Sequence, residues 1–221
     1  IGVRFVPIID GVVIKEDYMA RFSSGRMNHV HVIMGSTCDE DCLHETQDND
    51  YENYLENAKH YGKYEEEYKR VFPAENNEQA GRVISVERTA RTFAGMRLQA
   101  DFQQKQGMNA YLYSFTQNLP NADGSLLGPF HSSELVYQFG TLYTGWRPWR
   151  EEDYAASERM MNYWANFVKN GDPNGEGLPK WEKHVPGDDQ CMLLCADSKM
   201  GRVPHEEQVE FMTKCILEGV I

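Results

Sequence analysis

What most limits the fold of this chain is an alternation between short β-branched or aromatic runs and long stretches of helical periodicity. HVHVIMG, residues 29–35, is a β-branched run closed by glycine, the pattern of a largely buried strand of the kind found in parallel sheets. Residues 51–72 then place Tyr51, Leu55, Ala58, Tyr61, Tyr64, Tyr68 and Val71 at three- to four-residue intervals, predicting an amphipathic helix that ends before Pro73. Residues 75–106 carry Ala80, Val83, Ile84, Phe93, Leu98 and Phe102, which fits one long helix or two with a break near Gly95. AYLYSFT, residues 110–116, has the aromatic alternation of a strand, and a turn-rich loop, NLPNADGSLLGPF, follows it. In SSELVYQFG, Ser132 or Ser133 could cap a short helix.

The clearest helix covers residues 153–170, with Met160, Met161, Trp164, Phe167 and Val168 on one face and Asn170-Gly171 as its stop. QCMLLCA reads as a further strand, and residues 204–217 as a last amphipathic helix. Near the start, PIIDGVVI sets Asp10-Gly11 between apolar runs, which predicts a β-hairpin. Strands interleaved with long helices make this an α/β chain.

Charge and composition exclude several classes of function. Thirty-four acidic residues against twenty-two Lys and Arg give a net charge of -12, so phosphate-rich partners such as nucleic acid are excluded. No apolar run is long enough to span a bilayer. The first residue is Ile1 and the opening IGVRFVPIIDG lacks the regions of a signal peptide, so the chain is expected to begin inside a longer polypeptide. A soluble protein is expected, and both a cytoplasmic and a secreted location stay open.

The five cysteines, Cys38, Cys42, Cys191, Cys195 and Cys215, are an odd set, read as mostly reduced, buried thiols rather than a disulfide framework. A zinc site from Cys38, Cys42, Cys191 and Cys195 fits poorly. Cysteines four residues apart on a strand stand about 13 Å apart, too far to share a metal. His205-Glu206-Glu207 lacks the second histidine of a zincin helix. His29, His31, His44, His60, His184 and His205 receive no role, and Trp146, Trp149, Trp164 and Trp181 read as core packing.

Four segments carry a resemblance: PIIDGVVI, GSTCDED after a strand, GPFHSSELVYQFG after another, and YWANFVKNGDPNGEGLPKW. In type, order and separation they resemble the cholinesterase-like (type B) carboxylesterases, over nearly the whole chain. The resemblance implies the C-terminal portion of an α/β-hydrolase fold: a partial, mostly parallel sheet with extensive helical coverage, residues 1–221 forming part of a single domain. It implies that Glu40 is the acid of the catalytic triad, that His131 is its base, and that Glu134 helps to organise the site. Where the family has glycine after the acid, this chain has Asp41. Acid before histidine is the chain order of these hydrolases, with the serine earlier still.

None of the serines here is flanked by glycine two residues before and two after, so no G-x-S-x-G elbow is present, nor is a glycine run for an oxyanion hole. The expected parent is a serine esterase that acts on small-molecule carboxylic esters through an acyl-enzyme, with no metal and no organic cofactor. The expected partner of this chain is the N-terminal half of the same domain. Alone, the chain is expected to be inactive and, with an open sheet edge, prone to aggregate. The alternative is a non-catalytic, cholinesterase-like adhesion domain, which keeping both Glu40 and His131 disfavours.

Overall fold

A computed structural model describes residues 7–44 and 50–221. In chain order the elements begin with α1 (Tyr18–Ser23), β1 (Val32–Thr37), α2 (Tyr51–His60), α3 (Glu65–Val71), α4 (Asn77–Lys105) and β2 (Ala110–Phe115). They continue with β3 (Leu119–Pro120), β4 (Leu126–Leu127), α5 (Leu135–Gln138), α6 (Glu151–Asn170), β5 (Gln190–Leu194), β6 (Lys199–Arg202) and α7 (Glu206–Leu217). The main sheet runs β1-β2-β5-β6; its first three strands are parallel and β6 returns antiparallel to β5. β3 and β4 form a separate antiparallel ribbon.

Two apolar layers cover the sheet because its side chains alternate in direction. Ala110, Leu112 and Cys191 face one core, filled by Tyr54, Tyr61, Tyr68, Phe93, Phe211 and Met212 from α2, α3, α4, α7 and the turn after α2. Tyr111, Tyr113, Phe115, Met192 and Leu194 face the other, packed by Tyr137, Met160, Tyr163 and Trp181. β2 is buried along its whole length. β1 is only half-buried from Val32 to Gly35 and fully buried at Ser36 and Thr37, less than its composition predicts, because it lies at the sheet's edge. Gly35 is needed there: a Cβ would sit 2.1 Å from the Tyr113 carbonyl oxygen.

Polar groups pin the two layers. In the first, Glu87 of α4 accepts hydrogen bonds from Tyr61 Oη at 2.6 Å, Tyr68 Oη at 2.7 Å and Asn57 Nδ2 at 2.6 Å. That satisfies a buried carboxylate and ties α4 to the α2–α3 pair. In the second, Trp181 Nε1 donates to the Leu112 carbonyl of β2 at 3.0 Å, and its ring meets Tyr111, Tyr113 and Tyr163 edge-on.

Several local expectations are corrected. PIIDGVVI forms no hairpin: the Asp10 carboxylate accepts the amides of Val12, Val13 and Ile14 at 2.9, 2.8 and 3.1 Å, taking the donors a ladder would use. Residues 51–72 are two helices, because Gly62 at φ +56° turns the chain through a 3₁₀ step between them. Residues 77–105 are one unbroken helix, with open space beside Gly95. Neither Ser132 nor Ser133 caps α5.

Of the tryptophans, Trp181 is fully buried, Trp149 and Trp164 are half-buried, and Trp146 departs from the core reading: it is 71% exposed, with the Arg147 guanidinium over its ring. The cysteines are free thiols; Cys191 and Cys215 are buried and the other three half-buried. Burial pushes the Cys191 thiol up to about 12. Among the described residues no helix is long and apolar enough to cross a membrane.

Trp181 is the test of the second layer. Replacing it with Phe removes ring area and the bond to Leu112, and is expected to lower unfolding free energy by roughly 2 kcal/mol in urea titration. An unchanged urea midpoint would contradict that packing role.

Candidate active site

β1 and β2 pair in register from Val32↔Ala110 to Thr37↔Phe115, so their C-terminal ends finish level. The Cys38 N–H continues the ladder to the Phe115 carbonyl at 3.0 Å. The loop after β1 holds Asp39, Glu40 and Asp41, and the segment after β2 and the β3–β4 ribbon brings back His131. At this edge the two loops close on each other. The His131 backbone N–H donates to the Glu40 carbonyl at 3.0 Å, and its Nδ1 lies 2.6 Å from Glu40 Oε2.

An ionised carboxylate only accepts, so this contact calls for a proton on Nδ1, which in the neutral imidazole leaves the lone pair on Nε2. Among the described residues Nε2 has no hydrogen-bond partner. The Glu40 side chain is 12% exposed and that of His131 80%, so a shielded carboxylate meets an open imidazole. Glu40 itself is held twice more: Oε1 accepts the Thr37 N–H at 2.8 Å, and its own N–H donates to Thr89 Oγ1 at 3.0 Å.

The turn after His131 is unusual. Ser132 sits at φ +68°, a left-handed conformation that side chains rarely adopt and that recurs where a site imposes it. Ser133 is buried, and its Oγ has no hydrogen-bond partner among the described residues. Glu134 Oε2 is also buried without a partner among the described residues. Burial pushes the Glu134 carboxyl above its ordinary range and the charge of Glu40 adds to this, while its own backbone N–H and His131 pull the other way. Tyr113, under the same loops, is raised by burial and by the carboxylates of Glu134 and Glu40.

The acids flanking Glu40 face elsewhere. Ser85 Oγ donates to Asp39 Oδ1 at 3.2 Å, and Arg88 pairs with Asp41. Burial raises the Asp39 carboxyl, with Ser85 and His205 opposing. Sequence reasoning missed Thr37, Ser85, Arg88 and Thr89. The last three read only as polar positions on a helix, and nothing nearby in the chain signals their partners. His184, given no role, is a buried structural histidine whose Nε2 lies 2.6 Å from Asp101. Among the described residues no three His, Cys, Asp or Glu side chains are grouped to hold a metal.

Similarity to known proteins agrees with this arrangement of strands and loops. The family model described as carboxylesterase family matches residues 1–212 of the 221. The chain belongs to the carboxylesterase family. The family's α/β-hydrolase fold accounts for a mostly parallel sheet with helices on both faces.

Relatives include the acylcarnitine hydrolase of Rattus norvegicus, 32% identical over 128 residues, which are 56% of this chain and 22% of that protein. Carboxylesterase 5A of Felis catus is 31% identical over 126 residues, 53% of this chain and 23% of its own length. Cocaine esterase of Homo sapiens is 33% identical over 115 residues, 50% and 20% respectively. The match spans about a fifth of each of these carboxylesterases.

The helix layer behind His131 is anchored by Asp153, whose side chain is fully buried. Its Oδ1 accepts from Tyr137 Oη at 2.9 Å and Gln117 Nε2 at 3.0 Å, and its Oδ2 accepts the Arg150 N–H and Nε at 2.9 Å each. Burial alone would raise this carboxyl, but the bonds from Arg150, Tyr137 and Gln117 outweigh it and hold the group below its ordinary 3.8. Such a depressed carboxyl contributes stability that is complete above the unfolded value and disappears as pH falls through the folded one. Asp153→Asn is therefore expected to cost about 3 kcal/mol at neutral pH and to flatten the loss of stability below pH 3.8. Urea midpoints measured from pH 7 to pH 2 for both proteins check this. Parallel curves would contradict it.

Proposed function

We propose that this chain supplies the general base and its orienting acid to a serine carboxylic ester hydrolase. The nucleophile and the oxyanion donors come from a preceding part of the same domain. The observation that carries this reading is the 2.6 Å contact of His131 Nδ1 with Glu40 Oε2, with Nε2 left open. It is supported by the family, and by the absence from the sequence of any serine in a G-x-S-x-G setting.

In the proposed cycle, a serine Oγ attacks the ester carbonyl while His131 Nε2 takes its proton. Glu40 holds the Nδ1–H tautomer and stabilises the imidazolium that forms. Nε2–H then protonates the departing alkoxide, leaving an acyl-serine. A water molecule repeats the sequence in reverse and releases the acid. Proton transfer and nucleophile are both side-chain chemistry, so no metal or organic cofactor enters. Glu134, buried beside the pair, shapes the field around the imidazole. Residues 1–221 are then the C-terminal part of one domain, its partner the N-terminal part and its substrate a small carboxylic ester.

The purified chain is expected to hydrolyse p-nitrophenyl acetate no faster than buffer, with His131→Ala indistinguishable from it. In the contiguous polypeptide the same substitution is expected to lower kcat on the order of 10⁴-fold or more. Turnover by the isolated chain that disappears in His131→Ala would overturn the claim that the nucleophile lies elsewhere. A contiguous polypeptide that hydrolyses esters equally well without His131 would overturn the role of the base.

A further inference from the structure

Three consecutive acids, Asp39, Glu40 and Asp41, follow β1, and one of them reaches the imidazole of His131. All three are carboxylates on one short loop, and the extra methylene of Glu40 gives it reach but does not by itself keep Asp39 and Asp41 away from the ring. The choice correlates with a stripe on α4. Ser85, Arg88 and Thr89 stand at i, i+3 and i+4, one face of the helix. Ser85 and Thr89 are 2% and 4% exposed, amid the apolar Ala80, Val83, Ala90 and Phe93. A hydroxyl on a buried helix face costs desolvation unless it has a partner. Here the partners lie in the acidic loop: Ser85 Oγ to Asp39 Oδ1 at 3.2 Å, and Glu40 N–H to Thr89 Oγ1 at 3.0 Å. Arg88 completes the set on Asp41.

We infer that α4 sorts the acidic triplet, engaging Asp39 and Asp41 and fixing the Glu40 backbone, so that the Glu40 carboxylate alone orients His131, with Thr89 as its positioning residue. The inference rests on the reading of Glu40 and His131 as a working pair and extends it to the helix behind them. Glu40 becomes a bridge. Its N–H is fixed to α4, its carbonyl and Oε2 to His131, and Oε1 to the Thr37 amide. Engaging the neighbours matters for a second reason. A loose Asp39 or Asp41 would place a like charge beside Glu40 and compete for Nδ1–H. The Arg88 guanidinium also offsets the extra charge introduced where the family carries glycine.

The test reads the imidazole directly. In the 221-residue chain labelled with ¹⁵N-histidine, the His131 ring resonances, assigned by their loss in His131→Gln, report which nitrogen carries the proton. The wild-type chain is expected to show the Nδ1–H tautomer. Thr89→Val, nearly isosteric but without the acceptor oxygen, is expected to lose its predominance, and Thr89→Ser, which restores the oxygen, to regain it. Should Thr89→Val not fold, Thr89→Ala against Thr89→Ser makes the same comparison. A folded Thr89→Val that keeps the wild-type tautomer would overturn the inference and leave the pair standing. Loss of the tautomer in Thr89→Ser as well would overturn it too. A wild-type chain without the Nδ1–H tautomer would instead overturn the Glu40–His131 pair itself.

Discussion

Everything in this fold is arranged around a strand with no solvent face. β2 is buried along its length, so each of its side chains must be received by a helical layer on one side or the other. Tyr111, Tyr113 and Phe115 point to the layer of α6 and Trp181, and Ala110 and Leu112 to that of α4 and α7. Its parallel pairing with β1 runs in phase over six residues, which fixes where both chains leave the sheet. Because they leave level and side by side, the short loop of Glu40 and the longer segment that returns through the β3–β4 ribbon to His131 meet at the same end of the sheet. This is the usual place for chemistry in an α/β sheet, beyond the carboxyl ends of its strands. The close approach that makes the pairing possible leaves no room for a side chain at position 35.

The architecture was legible wherever burial decided it. AYLYSFT and QCMLLCA are read correctly because their apolar patterning is itself the imprint of the two cores, and the helix ending at Gly171 is placed correctly, although Met161 and Val168 of its expected apolar face are exposed. Periodicity was blind to the break at Gly62, since a single positive φ redirects a helix without disturbing the spacing of Tyr54, Ala58, Tyr61 and Tyr68. It also misled at PIIDGVVI, where Asp10 satisfies locally the amides that a hairpin would pair. β6, with the sequence KMGR, has no strand composition and exists because β5 offers it an edge.

The candidate site shows the same division. The family resemblance pointed to Glu40 and His131, and the structure brings the two into contact. Choosing Glu40 over Asp39 was beyond any local physical rule, because the discriminating groups, Ser85 and Thr89, are on a helix more than forty residues downstream. The unpaired Glu134 oxygen and the left-handed Ser132 were equally invisible. The contact of Nδ1 with Glu40 Oε2 and the bond from the His131 N–H to the Glu40 carbonyl give the exposed imidazole a defined orientation.

In the proposed reading this pair serves a serine carried elsewhere in the polypeptide. The most direct measurement is labelling of the contiguous polypeptide with a fluorophosphonate, which phosphonylates an activated serine, followed by peptide mass spectrometry. The expected result is one adduct on a serine outside these 221 residues, abolished by His131→Gln, and no adduct on the chain by itself. An adduct on a serine within the 221 residues, or one indifferent to His131, would contradict the account.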